Sequence, residues 1–588
     1  MTTTNQQTNW AQLTVAQLTV AHLFLGLILL ASILLRLNQL DNIPLSPAEA
    51  EQTLTIWHFW HPTDTQLPVT GYSPFYFSAT GLLTQFIHFT DATARLVPAL
   101  FGIATVALAW LWRPYLGTLG TLLFALLLTT SPTHTALART ADGQSAAIFA
   151  LLLFTISWLR YHHTATSRWL YLGAGALALG PTTHPLFYTG LITFALAWLA
   201  HFKIGPSLIT HHQKPDHPTR RRTLLIIAAV GAASSTLFFW NLSGLGATAD
   251  VGLAWLQRFQ LQPDNPTIYW LNPILALARY EFVLLSLGLV ALGWGVWHGR
   301  PLPSLCIYWF GLTFIFLLIQ VGQMDNVAIV TIPSYLLISR MGNQLIPPAP
   351  PHLLLILVTY LTATGSIIYI HLLRLASRTR LSPADFNADQ YYHILIMVIA
   401  FLLIVIGVNY AYLYHSRLPF AGLFIGVLFF LTMLSWGNSW WLGQLAFNDT
   451  RERWVENGAA TAIRNLPSAL TEISWMAHND PQRLQIITDL DHPTLRWYLR
   501  DFKNTTYGHS IPPNSDAAVV LTTSQEELPL NGNYLQSKFY LEHYGLIEVQ
   551  SSTPLPAQLI RWWLAHQSPH RPLVSSGTIW VRDDLISP

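Results

Sequence analysis

The polar residues that could carry out chemistry are concentrated in three segments between long apolar runs of this sequence. They are in segments 38–94 (Glu49, Glu51, His58, His61 and Tyr72), 132–142 (Arg139 and Asp142) and 243–280 (Arg258 and Tyr269, with Glu281 directly after). A carboxylate that faces a cavity at membrane level can take a proton from a hydroxyl or amine acceptor, and an arginine or histidine can hold a phosphate. This combination is suited to the transfer of a group from a lipid phosphate at the outer surface of the membrane.

The stretch SPAE around Glu49 also has a structural interpretation. Ser46 as N-cap, Pro47 at the first helical position and Glu49 three residues after the cap form the pattern of a capping box. Glu51 lies two residues further on and points elsewhere around the helix, so the spacing does not make the two glutamates a catalytic pair. Both interpretations of Glu49 stay open, because a capping glutamate can also lie in a catalytic cleft.

The other candidates have structural alternatives as well. Arg139 and Asp142 are three residues apart and could form an ion pair at a helix start. His58 and His61 could share a metal ion, but the sequence specifies no third ligand. A position on the polar face of an interfacial helix, without a ligand role, is therefore favoured. Glu281 opens an apolar run, where the helix dipole favours an acidic residue.

The composition predicts that most of the chain lies in lipid. Hydrophobic residues make up 52% of the 588 residues and charged residues 10%, which is typical of a multi-span membrane protein. The formal net charge of +2 gives no indication of nucleic-acid binding. The single Cys306 lies within an apolar run and excludes both a disulfide framework and a cysteine-based metal site.

Apolar runs near the length of about 20 residues that a span requires predict thirteen transmembrane helices. The predicted spans are 17–37, 95–113, 116–131, 143–160, 168–181, 184–202, 223–242, 281–298, 304–322, 327–343, 351–373, 392–412 and 420–436.

The distribution of basic residues predicts the orientation of these spans. The most basic membrane-region segment, 203–222, is expected in the cytoplasm, and other basic loops fall on that side only if 73–89 is a re-entrant or interfacial helix. Loops 38–94, 132–142 and 243–280 are then outside the cell membrane, as is the C-terminal tail. Loop 374–391, which contains three arginines, runs against this assignment.

From about residue 440 the pattern changes to that of a soluble domain. Segment 451–466 reads as an amphipathic helix, and 485–490, 517–523 and 577–585 read as strands. We therefore expect a membrane domain over 1–439 and a small extracytoplasmic α/β domain over 440–588.

Three stretches in the first 160 residues resemble a known family: RLNQLDNIPLSPAEAEQ, GYSPFYFSATGLLTQFIHFTDATARLVPALFG and SPTHTALARTADGQSAAIFALLLF. In this order they are similar to the N-terminal signature of the family 39 type of glycosyltransferases, which includes protein mannosyltransferases and aminoarabinose transferases. The later stretches LQPDNPTIYWLNPILALARYEF and LRWYLRDF resemble a bacterial and archaeal subgroup of this class.

The resemblance implies a GT-C fold, in which a polytopic α-helical membrane domain carries the catalytic loops, here followed by the C-terminal soluble α/β domain. It also implies a polyprenyl-phosphate sugar donor, inversion at the anomeric carbon and an acceptor reached from the outer face. No metal or other cofactor is expected. The expected partners are the lipid-linked donor, membrane lipids and a glycan, lipid or protein acceptor, without nucleic acid.

The resemblance also implies which residues act. The family's Asp-Glu pair falls on Ala48-Glu49, so either Glu49 supplies the base, or Glu51 does, or transferase activity has been lost. The acidic residue of the second loop maps onto Asp142. The predicted substrate-binding residues are Arg139, His58, Tyr72, Arg258, Tyr269 and Glu281.

Two other classes of function compete with a transferase. The missing aspartate at Ala48 favours a non-catalytic GT-C-like membrane scaffold that binds partner proteins through its outer domain. A transporter is disfavoured, because charges within the spans are few and no pair of broken inverted-repeat helices is visible.

Overall fold

The computed structural model of this chain describes residues 20–62, 73–204, 216–260, 266–346, 350–376, 388–452, 454–524, 528–547, 561–563, 566 and 571–585. Its helices are α1 (Val20–Leu37), α2 (Pro47–Trp60), α3 (Pro74–Leu83), α4 (Asp91–Leu108), α5 (Arg113–Thr130), α6 (Pro132–Ala138), α7 (Gln144–Thr164), α8 (Ser167–Leu179), α9 (Leu186–Ile204), α10 (His217–Ser235), α11 (Gly244–Gln257), α12 (Pro266–Tyr280), α13 (Leu289–His298), α14 (Pro301–Ile319), α15 (Asn326–Leu345), α16 (Pro351–Ala376), α17 (Ala388–Tyr414), α18 (Leu418–Trp440), α19 (Asn465–His478) and α20 (Pro493–Leu499).

Each predicted span overlaps one of these helices, but α8, α10 and α15, which correspond to the predicted spans 168–181, 223–242 and 327–343, are not among the helices that are long and apolar enough to cross a membrane on their own. Within the described ranges, eight helical segments are long and apolar enough to cross a membrane, and the bent pair Asn272–Tyr280 and Leu284–His298 adds a ninth if it is counted as one span. One of the eight, Asp91–Thr130, covers two predicted spans. The polytopic helical membrane architecture is therefore confirmed.

The break within that long segment lies at Gly117, whose φ of 78° is outside the range that side chains favour. A Cβ at this position would lie 2.6 Å from the side chain of Asn343 on α15. Glycine is therefore required both for the turn and for the close approach of α15. Helix α15 is the most enclosed of the long helices, and most of its side chains are buried among its neighbours.

Helix α3 covers the first part of segment 73–89. Its ten residues span about 15 Å at 1.5 Å per residue, half the thickness of a hydrocarbon core. This length agrees with the prediction that the segment does not cross the membrane.

The described part of the tail contains one six-stranded sheet in the order β1-β5-β6-β4-β2-β3. The strands are β1 (Asn457–Ala459), β2 (Ile486–Thr488), β3 (Thr505–Tyr507), β4 (Val519–Thr522), β5 (Tyr534–Ile547) and β6 (Arg571–Arg582). β2 pairs in parallel with β3 and β4, and the remaining pairs are antiparallel. Together with α19 and α20 this confirms a C-terminal α/β domain.

Three of the predicted strands correspond to β2, β4 and β6. The predicted helix over 451–466 is wrong, because β1 pairs with β5 in this segment and the helix begins only at Asn465. The apolar residues of that segment are buried by the sheet, so their helix-like spacing does not decide the local structure.

The tail shares a hydrophobic core with α2 and α3. Leu54 and Tyr76 from these helices belong to one buried cluster with Leu470, Leu495 and Trp497 of the tail. At the start of α4 the carboxylate of Asp91 accepts hydrogen bonds from the Trp497 indole at 2.8 Å and from the Tyr498 hydroxyl at 2.7 Å. The helical segment that contains α18 continues to Leu445, beyond residue 439, and the membrane helices and the tail pack against each other through this shared core.

Tyr498→Phe is expected to lower the free energy of unfolding by about 1.5–3 kcal/mol, the usual worth of a hydrogen bond to a charged group. The substitution leaves the Asp91 carboxylate buried with one partner fewer, while the ring stays packed. Thermal unfolding of the purified protein in detergent measures the change. The control is Tyr534→Phe, whose hydroxyl donates to the Ala517 carbonyl within the sheet at 2.7 Å and should cost about 0.5–1.5 kcal/mol. Equal losses for both variants would contradict a charged docking contact.

Candidate active site

A cluster of four ionisable side chains lies where several helices end. Asp142 is in the turn between α6 and α7, His184 precedes α9, Asp325 precedes α15, and Arg258 follows α11. His184 Nε2 is 3.3 Å from Asp142 Oδ2, and His184 Nδ1 is 3.5 Å from Asp325 Oδ2. Arg258 binds Asp325 through two nitrogens at 2.7 and 3.3 Å. Loops that are far apart in the sequence therefore meet in one charged cluster.

A glycine allows two of these loops to approach each other. Gly143 directly follows Asp142, and a Cβ on it would lie 2.2 Å from the Thr183 carbonyl oxygen and 2.3 Å from Ser73 Oγ. No real Cβ tolerates such contacts, so only glycine fits. The backbone next to His184 can thereby lie directly beside Asp142, whose Oδ1 accepts the Gly143 N–H at 2.6 Å.

The two carboxylates of the cluster differ in their electrostatic surroundings. Burial raises the pKa of Asp142, and His184 opposes this only in part. Burial also tends to raise the pKa of Asp325, but Arg258 and His184 hold it below its usual value. Asp325 therefore serves as a permanent counter-charge, whereas Asp142 is the carboxylate with the higher affinity for a proton.

The exposure of these side chains and the net charge of the cluster also favour Asp142 as the residue that takes up a proton. The Asp142 side chain is 18% exposed and that of His184 13%, against 6% for Asp325. Burial lowers the pKa of His184, although Asp142 acts against this. With a neutral histidine the cluster carries two negative charges and one positive, and protonation of His184 makes it neutral. Asp142 can accept a proton, and His184 and Arg258 can interact with an anion.

Glu49 has a different environment, in which both carboxylate oxygens are fully engaged. The side chain is buried and forms a two-point ion pair with Arg95 at 2.7 and 2.8 Å. It also accepts the Ser46 N–H, which completes the predicted capping box, and the Ala141 N–H at 2.9 Å. Although burial alone would raise the pKa of Glu49, Arg95 and these hydrogen bonds lower it. This geometry favours a structural role in which Glu49 holds the backbone directly before Asp142.

Arg139 closes the C-terminal end of α1. Its buried guanidinium donates to the carbonyl groups of Leu35, Arg36, Asn38, Gln39 and Gly443 at 2.7–3.3 Å. Such carbonyls lack partners within the helix, so a buried arginine stabilises them. The alternative of an ion pair between Arg139 and Asp142 is wrong. The prediction that Arg139 binds a phosphate gains no support, because backbone carbonyl groups already enclose its guanidinium.

Glu281 is a second buried carboxylate with structural partners. It accepts hydrogen bonds from the hydroxyls of Ser131, Thr133 and Tyr335, and thus ties the break after α12 to the start of α6 and to α15. Its side chain is 1% exposed. The structure does not bring Glu281 into the Asp142 cluster.

The remaining predicted site residues are outside the cluster. Glu51 is exposed on α2, and His58 is half-buried on the same helix, where burial and, to a smaller extent, Arg496 of the tail lower the pKa of His58. His61 stacks on Trp57 instead of pairing with His58. Among the described residues, no three His, Cys, Asp or Glu side chains are arranged to hold a metal ion. Tyr72 and the side chain of Tyr269 lie outside the described residues.

Sequence reasoning missed His184 and Asp325. His184 lies in TTHP (182–185) and is the first residue of the predicted span 184–202, whereas Asp325 lies in GQMDN between the predicted spans 304–322 and 327–343. Both turns are short, so they do not stand out in the sequence beside the long loops. The signal that could have found them is the predicted topology, which puts both turns on the same side as Asp142.

No protein-family profile and no curated protein sequence matches this chain. Among solved structures, it is similar to ArnT from Cupriavidus metallidurans bound to undecaprenyl phosphate, with a TM-score of 0.49 and 13% identity over 96% of this chain and 98% of that one. The apo state of the same ArnT gives a TM-score of 0.48 and 12% identity over 97% of this chain and 100% of that one.

Proposed function

We propose that this chain is a GT-C type membrane glycosyltransferase that moves a monosaccharide from a polyprenyl-phosphate carrier to an acceptor at the outer face of the cell membrane. The observation that carries this proposal is the cluster of Asp142, His184, Asp325 and Arg258 at the ends of apolar helices. It combines a partly exposed carboxylate of raised pKa with cationic groups that suit a phosphate. The ordered motifs of the first 160 residues support the same function.

In the proposed reaction Asp142 acts as the general base. The acceptor oxygen or nitrogen attacks the anomeric carbon while its proton passes to the Asp142 carboxylate. The bond between the anomeric carbon and the phosphate oxygen breaks, and the polyprenyl phosphate leaves with one additional negative charge. Arg258 offsets that charge, Asp325 holds Arg258 in position, and the neutral His184 can donate a hydrogen bond from Nε2. A single displacement of this kind inverts the anomeric carbon.

In this proposal neither Glu49 nor Glu51, the two alternative bases predicted from the sequence, acts as the base. Glu49 positions Asp142 through the Ala141 N–H and the Arg95 ion pair. Glu51 is exposed on the outer side of α2 and serves as a comparison residue for experiments. The base is thus provided by the second loop, which offsets the absence of an aspartate at Ala48.

The proposed orientation follows from the distribution of basic residues. Residues 1–439 form the multi-pass membrane domain, and the catalytic loops and residues 440–588 are extracytoplasmic. The donor reaches the cluster from the lipid, and a glycan, lipid or protein acceptor reaches it from outside.

The direct test uses the purified protein in lipid nanodiscs with a panel of labelled polyprenyl-phosphate monosaccharides. Release or transfer of the labelled sugar from at least one donor is the expected result. A folded protein that binds the carrier lipid but turns over no donor would contradict the proposal and favour a scaffold that binds partner proteins through its outer domain.

The pH dependence of transfer provides a second test. Because Asp142 must be deprotonated to act as base, and because burial raises its pKa, the rate should fall with decreasing pH at values above the ordinary aspartate pKa of about 3.9. His184 lowers the pKa of Asp142, so His184→Asn should move this acidic limb to higher pH. Initial rates of transfer between pH 4 and 8 measure the limb. His58→Asn, which changes a histidine outside the cluster, should leave it in place; an equal shift in both variants would contradict the assignment.

A further inference from the structure

A cavity of about 110 Å³ lies between α7, α8 and α10, separate from the Asp142 cluster. It is partly open, and its lining is almost wholly apolar and includes Phe154, Trp158, Trp169, Leu177 and Ile227. Ser157 on its wall is thirteen residues beyond the start of α7, which corresponds to about 20 Å along the helix. The cavity therefore belongs to the opposite half of the membrane domain from the candidate active site.

The cavity wall presents an apolar surface. Ser157 Oγ and Trp158 Nε1 have no hydrogen bond within the described part of the chain, but both atoms are buried behind the wall and not exposed to the cavity. The cavity is therefore suited to an apolar chain, whose burial removes apolar surface from competing environments, and it offers no hydrogen-bond donor to a ligand.

Basic residues are close neighbours of the lining residues along α7, α8 and α10. Arg168 is exposed and directly precedes Trp169, while Arg220 is exposed and lies one helical turn before Thr223, another residue of the wall. Arg160 stacks over the Trp169 ring at 4.6 Å. Asp216, four residues before Arg220, is the acidic residue at this end of α10, so positive charge predominates.

We propose that this cavity binds an anionic glycerophospholipid, with an acyl chain among the aromatic side chains and its phosphate at Arg168 and Arg220. An apolar groove alone would accept any lipid, and the basic rim selects the anionic head group. Basic pockets between membrane helices are suited to such head groups. This site is independent of the proposed transferase reaction, because no residue is shared with the Asp142 cluster.

Native mass spectrometry of the full chain can test the proposal. The protein is released from detergent micelles that contain phosphatidylglycerol or phosphatidylcholine with the same acyl chains, and the retained lipid is counted. The wild type should retain about 25-fold more phosphatidylglycerol than phosphatidylcholine, because each of the two arginines near the phosphate should contribute a factor of roughly five. The double variant Arg168→Gln and Arg220→Gln should abolish this preference and still retain lipid. Arg417→Gln, which removes a basic residue from another helix–helix connection, should leave the preference for phosphatidylglycerol unchanged.

A second pair of variants tests the chain-binding part of the site. Ser157→Leu extends a side chain into the cavity and should reduce retention of both lipids by about tenfold, as expected when some two methylene groups are excluded. Ser157→Ala removes the same hydroxyl without filling the space and should retain both lipids. Equal retention of the two lipids by the wild type, or an unchanged preference in the double arginine variant, would overturn the proposal. Arg168 and Arg220 are exposed on the surface, so their substitution should not impair folding. The arginine variants therefore test the proposal even if Ser157→Leu does not fold.

Discussion

Asp142→Asn is expected to reduce the rate of sugar transfer by a factor of about 10² to 10⁴, the usual contribution of a general base. Asparagine has nearly the same shape, and its side-chain oxygen can still accept the Gly143 N–H. It cannot take up the proton of the acceptor, so the loss should affect kcat. Initial rates in lipid nanodiscs with saturating donor and acceptor measure this change, and thermal unfolding verifies that the variant is folded.

The matched comparison for this variant is Glu51→Gln. It neutralises a carboxylate of the first loop that is exposed on α2 and outside the cluster, so it should keep wild-type turnover. If Asp142→Asn kept the wild-type rate, or if Glu51→Gln lost as much, Asp142 would not be the base. Binding of the carrier lipid should be similar in all three proteins, since neither substitution removes His184 or Arg258.

The membrane part of the fold could be predicted from the sequence because one physical requirement dominates it. A helix that crosses lipid must be apolar over about 20 residues, and this pattern is visible without knowledge of the neighbours. The prediction that segment 73–89 does not cross the membrane has a different basis, because it depends on placing segment 203–222 and the other basic loops on one side.

The tail was less predictable, because its strands depend on their partners. β2 and β4 are continuous apolar runs that are buried in the sheet, and such runs are visible locally. β5 contains Gln536, Lys538 and His543, and it becomes a strand by pairing along most of its length with β6. The short strand β1 likewise depends on β5 and not on its own three residues.

The candidate site could be predicted only in part for a similar reason. Asp142 and Arg258 were found from their residue types and from their loops, but the type of a residue does not show whether water or a partner surrounds it. Arg139 has the same chemistry as Arg258 and differs in that it is enclosed by the carbonyl groups at the end of α1. Distances between distant loops, such as that between His184 and Asp142, depend on tertiary packing and on the close approach at Gly143.

Glu49→Gln is expected to lower the free energy of unfolding by about 3–5 kcal/mol, the usual effect of removing one partner from a buried ion pair. The substitution removes the negative charge beside Arg95, whose side chain is 3% exposed and cannot regain water. It also offers an amide group to a site where Arg95, Ser46 and Ala141 all donate hydrogen bonds. Thermal unfolding in detergent should therefore show a large decrease in the midpoint.

A double-mutant cycle with Arg95→Gln separates this structural role from catalysis. Removing both charges eliminates the unpaired group, so the double variant should lose less stability than the sum of the two single losses. The fraction of Glu49→Gln that remains folded should still transfer sugar, because Asp142 is intact, although its weaker anchoring at Ala141 should slow the reaction. A Glu49→Gln protein with wild-type unfolding and no turnover would have the opposite meaning: Glu49 would be the base, and the ion pair with Arg95 would have to open during the reaction.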